Sequence, residues 1–148
     1  SELAKALAGK VNPSDRVAID YFIKYAGCDN NGNQLPDSPM KGGLVVFAAG
    51  NENIANGVPA NYEPVVAVAA IESSGAKAWY SNYGDFIDIA APGSSVYSTF
   101  PGGKYGSLNG TSMACPHVSG VAALLVSSSM TGGLFLPVTK ESTSLASP

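Results

Sequence analysis

The sequence predicts an α/β fold on a largely parallel sheet, with too little helix to cover it. Two short unbroken apolar runs, residues 44–49 (LVVFAA) and 65–71 (VVAVAAI), carry that reading. Apolar runs of this length without polar alternation suit strands covered on both faces, as parallel strands are. The third observation is a mostly apolar helical pattern beginning near Ser112, with Val118, Val121, Ala122, Leu124 and Leu125 on its repeat. A helix this apolar needs cover around its circumference, so it is expected to be central and buried.

The remaining elements follow along the chain. Ser14-Asp15 opens an amphipathic stretch in which Val17, Ala18, Tyr21, Phe22 and Tyr25 recur at helical spacing. Gly27 supplies the stop, so a helix is predicted over 14–26. Residues 28–41 are turn formers almost throughout and read as an insertion loop. Residues 86–90 (FIDIA) are a third candidate strand. Residues 96–100 and 104–108 flank Pro101-Gly102-Gly103 and suggest a hairpin. From Ser127 onward Ser, Thr, Gly and Pro dominate without a period, which predicts a loop or disordered tail over 128–148. One helix besides the central one cannot cover a parallel sheet on both faces. The chain therefore reads as part of a larger α/β domain. Its open sheet edge is expected to pair with the portion it lacks, or with a second copy.

Composition narrows the function classes. The chain has 148 residues, 45% apolar and 13% charged, enough apolar material for a packed core. A net charge of −3 without clustered Lys and Arg excludes a nucleic-acid footprint. No apolar run approaches the roughly 20 residues of a membrane span. The opening Ser1-Glu2-Leu3-Ala4-Lys5 is not a signal peptide. Cys28 and Cys115 are too few for a disulfide framework and read as free thiols.

The densest chemical signal is Gly110-Thr111-Ser112-Met113-Ala114-Cys115-Pro116-His117-Val118-Ser119-Gly120. A serine among small residues at the start of a helix suits a nucleophile, because the helix N-terminus offers free N–H groups and the positive end of the dipole. Gly110 allows a tight turn and leaves room for a substrate. Pro116 fits only near a helix start, where its missing N–H is harmless. The second signal is Ala48-Ala49-Gly50-Asn51-Glu52-Asn53, directly after the first strand. Ligands of open α/β sheets sit beyond the carboxyl ends of the strands. A side-chain amide placed there can donate to a developing oxyanion.

The 110–120 segment closely resembles the nucleophile motif of the subtilisin-like serine peptidases. Ala48-Ala49-Gly50-Asn51-Glu52 resembles their oxyanion-asparagine motif. Ser81-Asn82-Tyr83-Gly84 and Ile89-Ala90-Ala91-Pro92-Gly93 resemble their connecting motifs, in the same order. The resemblance covers roughly residues 15–127. It implies a partial doubly wound α/β fold and a peptide or protein substrate. It also implies Ser112 as nucleophile and an oxyanion hole formed by the Ser112 N–H and the Asn51 side chain. It places Ala48, Ala49 and Gly50 along one wall of the primary specificity pocket, and a cis bond before Pro64. Secretion or a cell-surface location is the family habit. Calcium is bound by many members, but no calcium ligand of the family matches a residue here, and no other cofactor is indicated.

A Ser-His-Asp site also needs a base and an acid that orients it. The only histidine is His117, five residues after Ser112. Five helical residues separate two side chains by about 140°, so His117 faces away from Ser112. The family's Asp-Thr-Gly or Asp-Ser-Gly motif and its His-Gly-Thr-His motif do not occur. The Asn-x-Ser-x-Gly segment expected before the first helix is also missing, since residues 1–13 do not match it. The resemblance thus implies a serine endopeptidase in the intact parent protein, with this chain carrying the nucleophile and oxyanion donors and inactive alone. The alternative is a non-catalytic assembly or binding module derived from a degenerate peptidase.

Three other patterns fail on context. Gly110-Thr111-Ser112-Met113-Ala114 lacks the last glycine of a hydrolase elbow. Ser74-Gly75-Ala76-Lys77 fits a Ser-x-x-Lys pattern but lies in a polar turn. Asp29, Asn31, Asn33 and Asp37 alternate like a calcium loop, yet Met40 stands where an EF-hand needs its glutamate.

Overall fold

The computed structural model describes residues 10–130. Among them lie α1 (Pro13–Tyr25), β1 (Val46–Ala48), β2 (Val66–Ile71), β3 (Ile89–Pro92), β4 (Val96–Phe100), β5 (Lys104–Leu108) and α2 (Thr111–Met130). The first three strands form a parallel sheet in the order β1-β2-β3, and the last two form an antiparallel hairpin. This is the α/β architecture with a parallel sheet that the sequence predicts, and the hairpin has the predicted bounds.

β2 is the centre of the core. It pairs on both edges and lies under α2, so Ala67, Val68 and Ala70 are fully buried. Double-sided burial holds for this strand alone. β1 is half-buried and β3 is largely exposed, because each pairs along one edge only among the described residues. The β1 ladder nevertheless spans most of the predicted run: Val66 N donates to Val45 O at 2.8 Å and Ala49 N to Val68 O at 3.0 Å.

Four expectations need correction. Residues 86–88 are not part of β3. A turn over 84–87, with Gly84 at φ +121° and Ile87 N donating to Gly84 O, takes up the first two of them. Asp88 then bonds to β2 through one backbone and one side-chain group: its N–H donates to Ala67 O at 3.1 Å, and its Oδ2 accepts from Ala67 N at 2.8 Å. The first helix starts one residue earlier than predicted, because Asn12 is the cap. Its Oδ1 accepts from Ser14 N at 3.0 Å, with Pro13 in the first turn where its missing N–H costs nothing. The cis bond lies at Val58–Pro59 and not before Pro64; the 49–65 loop holds two prolines, and motif order does not separate them.

The fourth correction concerns α2, which is not buried all round. Ala114 is fully buried, and Cys115 and Val118 pack on the core beside it. Val121 and Leu124 on its outer side are 57% and 71% exposed. A three-stranded sheet covers one face of a 20-residue helix and no more. The helix also runs past Ser127, where a loop was expected. Extending an existing helix costs little per residue, and Ser128 Oγ donates back to Leu125 O at 2.9 Å. The rest of the predicted tail lies outside the described residues.

Candidate active site

Two chain crossings converge beyond the carboxyl end of β1: the turn at 49–54 and the start of α2. Thr111 ties them together and is itself fully buried. Its N–H donates to Asn51 Oδ1 at 2.8 Å, and its hydroxyl donates to the same oxygen at 3.0 Å. The hydroxyl in turn accepts from Gly50 N at 3.1 Å. A backbone N–H can only donate, so the Asn51 oxygen must face Thr111. The amide is planar, so Nδ2 points away from that anchor. Among the described residues nothing accepts from it.

Gly110 shows where that nitrogen is aimed. A Cβ on Gly110 would stand 3.5 Å from Asn51 Nδ2 and 3.7 Å from Ser112 N. Two N–H donors therefore border the same small space, with Met113 Sδ also 3.6 Å from that point. The Ser112 N–H lies in the first turn of α2, where backbone donors have no intrahelical acceptor. Ser112 itself is exposed, and its hydroxyl is bonded to no described residue. The dipole of a long helix adds positive potential at this end.

A second anchor holds the 49–54 turn from the other side. Asn82 is 1% exposed and uses its whole amide. Its Oδ1 accepts from Glu52 N at 3.0 Å and Ile54 N at 3.2 Å. Its Nδ2 donates to Ala49 O at 3.0 Å and to Glu52 Oε2 at 2.8 Å. Gly50, at φ +104°, packs so closely on this amide that a Cβ would collide with Asn82 Nδ2. Tyr80 is buried beneath, donating to Gly93 O at 2.8 Å, and Gly93 O accepts from Gly110 N at 2.9 Å.

A family model described as the subtilase family, Peptidase_S8, matches residues 10–139. The chain belongs to the subtilases. An extracellular protease of Xanthomonas campestris pv. campestris is 50% identical over 104 residues, covering 64% of this chain and 18% of that protein. Thermitase of Thermoactinomyces vulgaris is 53% identical over 88 residues, covering 59% of this chain and 32% of the enzyme. Among solved structures, the prenylagaramide maturation protease PagA superposes with a TM-score of 0.59 at 40% identity, covering 62% of this chain and 35% of that one. A cold-adapted subtilisin-like serine proteinase gives 0.52 at 43% identity, covering 53% and 30%. This subtilase chain thus spans about a fifth to a third of the length of these relatives.

The fold of the subtilase chain brings Ser112, Asn51 and Gly50 together. Ala48 and Gly50 are half-buried, whereas Ala49 is 1% exposed and turned into the core. His117 is not drawn in: it is exposed, and its Nδ1 sits 2.8 Å from Met113 O on its own helix. Ser74 and Lys77 do not form a pair either. Ser74 Oγ accepts from Ala76 N, and Lys77 Nζ is held by Asn53 Oδ1, Ala78 O and Ser81 O.

Among the described residues no group of three His, Cys, Asp or Glu side chains could hold a metal ion. In the 28–41 loop the Asp29 carboxylate is already used by Asn31 N, Asn33 N and Asn33 Nδ2. Those bonds, from Asn33 above all, hold its carboxyl below the usual range. Cys28 and Cys115 are free thiols. Sequence reasoning passed over Thr111 and Asn82 as functional residues. Their signal was polarity inside otherwise apolar or glycine-rich surroundings, and buried polar groups need partners.

Proposed function

We propose that this chain is the nucleophile-bearing part of a secreted serine endopeptidase of the subtilase family. The observation that carries the reading is the pair of free donors, Asn51 Nδ2 and Ser112 N, bordering the space beside Gly110. A peptide carbonyl bound there places its carbon within reach of the exposed Ser112 Oγ. Attack moves the carbonyl electrons onto oxygen, and both N–H groups stabilise the resulting oxyanion. Collapse expels the amine and leaves an ester on Ser112, which water hydrolyses. Losing one such donor in a subtilisin costs roughly 10²–10³ in turnover. Ala48 and Gly50 border the site where the substrate side chain next to the scissile bond would enter.

The serine proton needs an acceptor. His117, the single histidine, is engaged with Met113 O one turn along the helix. The base and its orienting carboxylate are therefore assigned to a part of the peptidase outside this sequence, and the isolated chain is inactive. The similarity to an extracellular protease of Xanthomonas supports secretion. The test is a peptidyl phosphonate that phosphonylates an activated serine. In the active peptidase that includes this chain it labels Ser112, and Ser112→Ala abolishes both labelling and hydrolysis. The chain alone reacts at the slow rate of an ordinary serine. Rapid labelling of Ser112 in the isolated chain would overturn the assignment of the base elsewhere.

A further inference from the structure

We infer that Asn82 is a positioning residue for catalysis, acting through Asn51; the inference rests on Asn51 being an oxyanion donor. Asn51 lies in a turn with no regular secondary structure of its own. Its side chain is fixed by Thr111, but its backbone needs a separate support. Asn82 supplies one on both sides of it. The Asn82 amide binds Ala49 O before Asn51 and Glu52 N and Ile54 N after it. The Asn82 N–H also donates to Gly50 O at 3.0 Å. Ala49, Glu52 and Ile54 are thus clamped to one buried side chain, and Gly50 to the backbone of the same residue.

The clamp is itself anchored. Asn82 lies in the segment between β2 and β3, and Lys77 Nζ holds the residues before it through Ala78 O at 3.1 Å and Ser81 O at 3.0 Å. The same ammonium reaches Asn53 Oδ1 at 2.9 Å, across to the Asn51 turn. Ser81 Oγ accepts from Ala70 N at 2.9 Å and ties the segment to the central strand. The path from β2 to Asn51 therefore runs through a continuous set of hydrogen bonds, buried at Ser81 and at the Asn82–Ala49 contact. An oxyanion donor must lie about 2.7–3.1 Å from the developing charge, and a misplacement of about 1 Å costs up to ~10²-fold. A buried amide with all four of its hydrogen bonds made restricts such a displacement.

The test is a double-mutant cycle in the active peptidase that includes this chain. Asn82→Asp keeps the shape and the two acceptor bonds. It loses the donation to Ala49 O and sets a second carboxylate beside Glu52. Active-site titration counts competent sites, so kcat per titrated site is separated from any loss of folded protein. The expected result is a fall of tenfold or more in kcat per site with KM unchanged. Adding Asn51→Ala to Asn82→Asp then costs no more than Asn51→Ala alone, because both act on one donor. Adding Glu52→Gln to Asn82→Asp restores part of kcat by removing the repulsion. Full additivity of Asn51→Ala and Asn82→Asp, or an unchanged kcat per site, overturns the role of Asn82. If Asn51→Ala by itself leaves kcat unchanged, the oxyanion reading fails instead. Should Asn82→Asp not fold, Asn82→Ser carries the same cycle.

Discussion

Replacing Thr111 with valine tests the site at its most connected point. Thr111→Val keeps the volume and branching of a fully buried side chain and removes only the hydroxyl. Two bonds vanish: the donation to Asn51 Oδ1 and the acceptance from Gly50 N. A Gly50 N–H left without an acceptor costs about 1–3 kcal/mol, and the other bond contributes about 1 kcal/mol. The expected loss of stability is therefore about 2–4 kcal/mol, read from the urea midpoint of the active peptidase at constant slope. The catalytic effect is smaller and separable. Asn51 is then held by the Thr111 N–H alone. Losing ~1 kcal/mol of orienting energy lowers the productive amide population, and kcat per titrated site, about fivefold. KM stays constant, since the oxyanion is absent from the ground state. Thr111→Ser retains the hydroxyl and is expected to keep most of kcat. A valine variant as stable and as fast as the wild type would refute the network. One that loses stability but not kcat would confine the hydroxyl to a structural role.

Three further outcomes follow from the same geometry. Gly50→Ala forces a Cβ onto Asn82 Nδ2 at a backbone φ of +104°; a stability loss above about 2 kcal/mol in urea unfolding is expected, and a neutral effect would contradict the close packing. His117→Ala leaves kcat within twofold of wild type in peptide hydrolysis, because the ring is exposed and bonded to its own helix; a hundredfold loss would make it the base. Cys115 is a sluggish thiol: burial pushes its pKa up, against a small opposing bond with Ser119. The thiolate fraction at pH 8 is thus below that of a solvent-exposed cysteine, and iodoacetamide labelling accelerates only as pH rises further. Labelling of Cys115 at pH 8 as fast as a model thiol would refute its burial.

Much of the local structure was legible because it is written in neighbours. The 65–71 run is unbroken apolar sequence and became the central strand, while Pro101-Gly102-Gly103 fixed the hairpin to its exact residues. Ser112, Asn51 and Gly110 stood out by residue type and order. Two of the corrections share one cause. β1 and α2 were read as covered on all sides, because apolar sequence reports what a segment would bury and not what stands opposite it. The boundaries of α1 and β3 moved for side-chain reasons, the cap at Asn12 and the ladder bond of Asp88.

The sequence by itself determined the features on which the proposed chemistry rests: a serine at a helix start, an amide after a parallel strand, and a single histidine turned away by helical geometry. Only the tertiary structure decided how Asn51 is oriented. Residues 51, 82 and 111 are separated by about thirty positions each, and no local pattern relates them. Their alignment comes from the parallel sheet, which brings the turn after β1, the segment between β2 and β3 and the start of α2 to one end of the fold. There Thr111 fixes which face of the Asn51 amide is free, and Asn82 fixes where its backbone stands.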